Sequence, residues 1–169
     1  MDSALLGRIA ALHEENFGWA LACAGRDRRE AEELLQAVYL KVLEGRARYA
    51  GRSSLKTWLF AVIRRTASEH RRRAVLQRLR LLPIEHGAGA PSGAPTPEED
   101  AVAADRRTRL EHALARLPRR QREVLLLVFY HEHTVEEAAQ VLGIGIGSAR
   151  THYARGKTRL RELLADLEA

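Results

Sequence analysis

A basic helix face near the C-terminus is the most chemically informative part of the chain. Residues 148–161 contain five lysine or arginine residues and no acid. Positions 150, 151, 152 and 155 share an outer N-terminal face, the part of a recognition helix that enters a major groove. There an arginine can bond bidentately to guanine, and later basic residues meet phosphates. A duplex DNA contact is therefore assigned to Ser148, Arg150, Thr151, His152, Arg155, Lys157 and Arg159.

A second basic segment spans residues 64–80. It contains seven arginines and one acid, so it alone carries a charge of +6, equal to the net charge of the whole chain. Two separate basic segments predict two contacts with a polyanion such as DNA. The alternative for either segment is a solvated, arginine-rich helix face.

The elements expected to hold the C-terminal basic face form a helix-turn-helix. Residues 134–137, Thr-Val-Glu-Glu, have the pattern of a capping box at the start of a short helix. Gly143 suits the turn, and Ser148 is expected to cap the second helix. Gly156 costs a helix about 1 kcal/mol relative to alanine, which predicts close packing of another backbone there. The predicted packed residues are Ala138, Ala139 and Leu142, then Ala149, Tyr153, Gly156, Leu160, Leu163 and Leu167.

Composition favours an all-α fold. Hydrophobic residues make up 46% of the chain, aromatic residues only 5%, and no long β-branched run occurs. Residues 83–97 are rich in Pro, Gly, Ala and Ser, and they predict a flexible linker. The linker would join two small helical domains, residues 1–82 and 98–169. A helix is expected to begin at Thr96 and Pro97, with Glu99 completing its capping box.

Helical spacing also predicts the buried face of each helix. Asp27 with Glu30 is expected to cap one helix, and Ser53 or Ser54 the next. Leu40 is the apolar residue that this pattern leaves facing outward. The predicted buried residues are Leu5, Ile9, Leu12, Ala31, Leu35, Val38, Val42, Leu55, Trp58, Leu59, Val62, Leu110, Leu114, Leu117, Val124, Leu125 and Val128.

Few residues offer any other chemistry. Cys23 is the single cysteine, which excludes an internal disulfide and predicts a small core residue. His131 and His133 flank an acid, but no second cluster supplies further ligands, so a polar turn is favoured over a metal site. No stretch has the length of a membrane span, and no signal-peptide pattern is present. A cytoplasmic protein with no cofactor, metal or catalytic site is expected.

Four strings in order resemble the extracytoplasmic-function (ECF) sigma factors of bacterial RNA polymerase. AEELLQAVYLKV (31–42) is similar to the family's helix that docks on the polymerase clamp. SSLKTWLFAVIRR (53–65), with HRRR (70–73), is similar to the segment for the minus-ten element. LPRRQREVLLL (117–127) and TVEEAAQVLGIGIGSARTHYARGKTRLREL (134–163) resemble the reader of the minus-thirty-five, or upstream, element.

The resemblance implies roles for individual residues. It implies core polymerase binding by Glu33, Gln36, Ala37, Tyr39 and Leu40. It implies contacts with the minus-ten element, including a base flipped from the melted strand, by Arg52, Ser53, Ser54, Lys56, Trp58, Arg64, Arg65, Arg72 and Arg73. Three positions depart from the family pattern, namely Ala37 in place of an acid, Arg65 in place of an asparagine, and Gly145 in place of a proline or serine.

The resemblance implies a dissociable subunit, without catalytic activity, that brings core RNA polymerase to a two-part promoter. Such proteins are commonly held inactive by an anti-sigma factor, which is an expected partner. The alternative is a transcription regulator that binds duplex DNA through the same helix-turn-helix, with the first domain serving dimerisation or ligand binding. A regulator would bind its operator alone, whereas a sigma factor would need core polymerase.

Overall fold

The computed structural model describes residues 3–80 and 101–168, and these residues form helices without any strand. Chain contacts divide the protein into two units, Met1–Gly93 and Ala94–Ala169. The N-terminal helices are α1 (Ser3–Ala11), α2 (His13–Cys23), α3 (Arg28–Leu43) and α4 (Leu55–Arg80). The C-terminal helices are α5 (Ala101–Ala115), α6 (Arg119–Leu125) with a π-helical turn (Leu126–Tyr130), α7 (Val135–Leu142) and α8 (Ile146–Glu168). The predicted all-helical fold is confirmed, while the predicted linker 83–97 and the Thr96 cap lie outside the described residues.

Trp19 lies at the centre of the N-terminal unit. Its side chain is fully buried, and its ring stacks on that of Phe60 with 5.7 Å between centroids. The indole Nε1 donates a 3.0 Å hydrogen bond to the Phe60 carbonyl oxygen, which satisfies its only polar atom. This contact fixes α2 against α4. Cys23, at the end of α2, is buried as predicted.

Helix α3 follows its sequence pattern closely. The Asp27 side chain accepts a 2.9 Å hydrogen bond from the Glu30 backbone N–H, which confirms the predicted cap. All four predicted core residues of α3 are buried, together with Leu34. At the far end, Lys41 Nζ donates to Thr66 Oγ1 at 3.0 Å and to Glu69 Oε2 at 2.6 Å, both on α4. A charged pair therefore joins α3 to α4.

Helix α4 is capped by Ser54, whose Oγ accepts from the Thr57 backbone N–H at 3.1 Å. Its buried apolar residues are Leu55, Leu59, Phe60, Ile63 and Ala67. Trp58 and Val62 were predicted to be buried, but both side chains are only half-buried. The buried stripe turns toward Phe60 and Ile63 because that face meets α2 and α3.

The close approach of α6 and α8 defines the C-terminal unit. A Cβ atom at Gly156 would lie 3.2 Å from both Gln121 Cβ and Leu125 Cδ1. The predicted close packing is therefore present, although side chains of α6 rather than its backbone make the contact. Leu117 and Leu125 are buried beside Leu163 in the same core.

In α5, the residue that is buried differs from the one that the helical spacing predicted. Leu110 is 42% exposed, while Ala113 is fully buried. Ala113 and Leu114 pack in the core that contains Leu163 of α8, whereas Leu110 is not part of that core.

Both hydrogen bonds of the predicted capping box are present in the helix-turn-helix. Thr134 Oγ1 accepts from the Glu137 N–H at 3.1 Å, and the Glu137 carboxylate accepts from the Thr134 N–H at 2.9 Å. Gly143 ends α7 in the left-handed region with φ +62°. The predicted cap at Ser148 was wrong, because α8 already begins at Ile146 and places Ser148 in its first turn. The first helical hydrogen bond of α8 runs from the Ala149 N–H to the Gly145 carbonyl oxygen at 3.0 Å, so Gly145 directly precedes the helix.

We predict that Gly156→Ala destabilises the C-terminal unit although alanine favours helices. Gln121 Cβ is fixed to the α6 backbone, so the two helices must separate, at about 1–3 kcal/mol against a propensity gain of about 1 kcal/mol. Hydrogen–deuterium exchange of α6 and α8 should show lower protection. Gly147→Ala is the matched control, since a Cβ there meets nothing within 4 Å. Equal protection in both variants would contradict the prediction.

We predict that Glu69→Gln destabilises the N-terminal unit only above mildly acidic pH. The hydrogen bond from Lys41 lowers the pKa of the Glu69 carboxyl below its ordinary 4.5, opposed by partial burial. A lowered folded-state pKa stabilises the fold at neutral pH, and this contribution disappears as pH falls through that pKa. Unfolding followed by tryptophan fluorescence reports this unit alone, since both tryptophans lie in it.

The expected loss at pH 7 is about 1 kcal/mol, and the difference from wild type should shrink as the pH falls below 4.5, the ordinary pKa of this carboxyl. Glu32→Gln provides the control, because its pair with Arg28 is exposed on both sides. A difference for Glu69→Gln that did not change with pH would rule out the ion pair as its cause.

Candidate nucleic-acid interface

The outer face of α8 presents the predicted DNA-reading residues together. Arg150, Thr151 and Arg155 are exposed over the first three turns, and His152 is half-buried. Thr151 Oγ1 donates to the Gly147 carbonyl oxygen at 2.9 Å, which leaves its methyl group and oxygen lone pairs facing outward. Ala149 is fully buried on the opposite side. The helix therefore has one face for packing and one for a ligand.

Arg150 is held by an acid from the preceding helix. Its Nη2 lies 2.9 Å from Glu136 Oε1, and both side chains remain at least half exposed. The hydrogen bond from Arg150 lowers the pKa of the Glu136 carboxyl, and a bond from the residue's own backbone N–H adds to this. The Glu136 carboxyl group is therefore charged at neutral pH. The sequence alone did not predict the contact between Glu136 and Arg150.

The later basic residues of α8 are partly engaged within the unit. Lys157 Nζ lies 4.3 Å from the centroid of the Tyr153 ring, which stacks on Phe129. Arg159 Nη1 pairs with Glu162 at 3.2 Å. A groove of about 520 Å³ between α6 and α8 is lined by Pro118, Gln121, Ala154, Arg155, Thr158, Arg159 and Glu162. Two arginines, Arg155 and Arg159, therefore line this groove.

The arginines of α4 fall into two groups. Arg71 Nη1 donates to the Cys23 carbonyl oxygen at 2.8 Å and so packs against the end of α2. Arg65, Arg72 and Arg73 are exposed, whereas Arg64 is half-buried. The side chains at positions 78 and 80 lie outside the described residues. The charge count of this segment included Arg71, whereas the residues assigned to the minus-ten element did not, and Arg71 contributes to the fold.

The residues assigned to the minus-ten element follow a path rather than forming one pocket. A helix rises about 1.5 Å per residue, so Trp58 and Arg73 are roughly 22 Å apart along α4. Arg52 and Ser54 are exposed before the helix, while Ser53 and Lys56 are half-buried. Such an arrangement suits an extended single strand of nucleic acid better than a compact ligand.

Trp58 forms an aromatic pair that the sequence prediction missed. Its ring lies 5.4 Å from that of Tyr49, whose hydroxyl donates to the Ser53 carbonyl oxygen at 2.7 Å. Both rings line a depression of about 460 Å³ with Arg48 and Leu43 beside them. Tyr49 lies in the loop between Gly45 and Gly51. An aromatic residue in this polar loop is the sequence feature that could have predicted the pair. Lys56, two residues before Trp58, forms an ion pair with Glu15 of α2.

The outward face of α3 carries most of the predicted polymerase contacts. Glu33, Gln36 and Leu40 are exposed on one side, with Ala37 half-buried between them. Leu43 extends the apolar part of this surface at 55% exposure and was not predicted.

Tyr39 lies apart from that group. Its hydroxyl is 3.1 Å from His13 Nδ1 and receives a 3.4 Å hydrogen bond from Asn16 Nδ2, both on α2. Burial raises the pKa of the Tyr39 phenol, and the hydrogen bond from Asn16 partly opposes this. Tyr39 therefore supports the inner side of α3.

The histidines that raised a metal hypothesis are core residues of the turn. His131 and His133 are both buried after the π-helical turn, and the His133 N–H donates to the Leu127 carbonyl oxygen at 2.9 Å. Among residues 3–80 and 101–168 no group of three or more candidate metal ligands occurs. No helix in that part of the chain is long and apolar enough to cross a membrane.

The chain matches the sigma-70 region 2 family over residues 10–76 and the sigma-70 region 4 family over residues 107–160. It is 32% identical over 163 residues to the RNA polymerase sigma factor CarQ of Myxococcus xanthus, covering 95% of this chain and 89% of that one. The chain belongs to the sigma-70 family. It is also 30% identical to the ECF RNA polymerase sigma factor SigX of Bacillus subtilis, covering 81% and 72% of the two chains.

The solved structures agree with this sigma factor assignment at the level of fold. The sigma factor RpoE of Bartonella quintana, solved with the anti-sigma factor NepR, has a TM-score of 0.71 at 24% identity and covers 97% of this chain and 98% of that one. The predicted ECF-type sigma factor is therefore confirmed, and the family favours a polymerase subunit acting in promoter recognition and transcription initiation over a free-standing regulator.

Proposed function

We propose that α8 of this sigma factor reads the upstream promoter element in the major groove. The observation that carries this proposal is the exposed trio Arg150, Thr151 and Arg155 on a helix whose opposite side is anchored by buried Ala149 and Gly156. Arg150 and Arg155 would contact base edges, with Thr151 beside them. Ser148, His152, Lys157 and Arg159 would meet the sugar–phosphate backbone.

The N-terminal unit would bind the minus-ten element as a melted single strand. Exposed Arg65, Arg72 and Arg73 give α4 a positive track for phosphates, to which Arg52 and Arg64 would add. The depression beside Trp58 and Tyr49 has aromatic walls, as expected for a site that receives an unstacked base. Ser53, Ser54 and Lys56 would shape the rim of that site. This assignment makes the loop before α4 the point of base capture.

The exposed face of α3 is proposed to bind the clamp of core RNA polymerase. Glu33 and Gln36 offer polar contacts, and Leu40 with half-buried Ala37 offers an apolar one. Leu40 and Leu43 are three residues apart on α3 and both exposed, so together they form a small apolar surface that a partner would cover. Tyr39, which bonds to α2, would act by holding α3 in place.

An anti-sigma factor is the proposed regulatory partner. Among the structural neighbours, RpoE was solved with the anti-sigma factor NepR, and CnrH was solved with the cytosolic domain of CnrY. The proposal places the protein in the cytoplasm with the polymerase, as a subunit that has no catalytic site or cofactor of its own.

Run-off transcription with core RNA polymerase on a random promoter library tests the function. Promoter-dependent transcripts should require both core enzyme and this chain. DNase footprinting of the selected promoter should show specific protection with the holoenzyme and none with the chain alone. Specific protection by the chain alone, without transcripts, would restore the regulator hypothesis.

We predict that Arg150→Ala and Arg155→Ala each weaken discrimination at one upstream base. Loss of one bidentate arginine–guanine contact is worth about 1–3 kcal/mol at that position. Competition between promoters that differ at single upstream bases measures the effect. A decrease of equal size on every promoter would instead assign these arginines to phosphates.

We predict that Arg72→Ala with Arg73→Ala lowers promoter affinity without base preference. Removing each phosphate contact should flatten the dependence of log affinity on log salt by roughly 0.7 for a single strand. Both side chains are exposed, so the stability of the N-terminal unit should change by less than about 0.5 kcal/mol. An unchanged salt slope would exclude this segment from the DNA path.

A further inference from the structure

Glu136 contacts α8 at a base-reading position although it lies on a different helix. Its Oε1 is 2.9 Å from Arg150 Nη2, at a sequence separation of 14 residues. Glu136 is the second residue of α7, directly after the Thr134 cap. An acid near a DNA surface repels phosphates, so its position there calls for a compensating role.

The Glu136 carboxylate is itself held in place. It accepts from Arg150 Nη2 at 2.9 Å, and it lies near the positive end of α7. The start of α7 is fixed by the two hydrogen bonds between Thr134 and Glu137. A short turn through Gly143 then connects α7 to α8, so the carboxylate has a defined position relative to Arg150.

A guanidinium group can bind this carboxylate and a base together. It has five N–H donors in a planar fork, and a bidentate contact with guanine uses two of them. A free arginine side chain loses rotamer freedom when it binds, and a partner that already restrains it reduces that loss. A guanidinium restrained by Glu136 would therefore favour the base whose acceptor atoms lie where its free N–H groups point.

We propose that Glu136 is a positioning residue that orients Arg150 for one base of the upstream element and so sets specificity at that base. The proposal rests on the proposed role of Arg150 in reading DNA. Glu136 makes no base contact itself. Its charge lowers affinity for all sequences by repelling phosphates, while its restraint of Arg150 raises the preference for one sequence.

The test uses holoenzyme formed from the full chain and core RNA polymerase, on a promoter selected from the library and its single-base upstream variants. Glu136→Ala should reduce the preference at the Arg150-dependent base about 2- to 10-fold. It should also raise affinity for all promoters, because a negative charge is removed. Glu136→Gln keeps an acceptor oxygen, so its loss of preference should be smaller.

Glu162→Ala is the matched control. Glu162 is an exposed acid on α8 that pairs with Arg159 at 3.2 Å. Its removal should raise affinity generally and leave every base preference unchanged. A role of Glu136 in folding alone would lower affinity or stability without changing the ratio between promoters that differ at one base.

The double variant Glu136→Ala with Arg150→Ala, compared with each single variant, distinguishes failure of the positioning role from failure of the proposed DNA-reading function. If Glu136 acts through Arg150, the double variant should have the same base preferences as Arg150→Ala alone. If Arg150→Ala changes a base preference but Glu136→Ala does not, the positioning role is overturned and the proposed function stands. If Arg150→Ala changes no base preference, both are overturned.

Discussion

The contact between α6 and α8 at Gly156 governs what the C-terminal unit can present to DNA. Only a residue without a side chain allows Gln121 and Leu125 to approach α8 as closely as 3.2 Å from a Cβ position. Leu163 is buried with Leu125 of α6 on this side of α8, Ala149 is buried nearer the start of the helix, and the opposite side stays exposed. A longer side chain at Gly156 would tilt α8 away from α6, and the orientation of its outer face would change with it.

Local sequence signals predicted the helix caps and most of the core because these depend on near neighbours. The caps at Asp27 and Thr134 need only a side-chain oxygen three residues before a free N–H. The start of α8 was misjudged because the Gly143 turn, rather than the serine in the next segment, decides where helical geometry resumes. Leu110 was misplaced because the choice of which α5 residues enter the core depends on tertiary packing.

The candidate site was harder to predict, since a charge pattern does not reveal which charged side chains bind within the fold and which stay exposed. Arg71 and Arg72 are neighbours in the sequence, yet Arg71 binds the Cys23 carbonyl while Arg72 is exposed. Tyr39 and Leu40 are likewise adjacent, but a helix turns about 100° per residue and directs them to different sides. Only the packing of α2 against α3 distinguishes the two roles, and no local spacing encodes that packing.

The π-helical turn Leu126–Tyr130 has a consequence for how the chain tolerates changes in length. A π-helical turn holds about one residue more than an α-helical turn, because each of its hydrogen bonds spans one residue more. Deleting one residue there would restore regular α-helix and rotate the downstream residues by about 100°. Phe129 would then leave the Tyr153 ring, and the buried pair His131 and His133 would shift register. Length at this point is therefore constrained, even though Phe129 and Tyr130 are exposed to solvent.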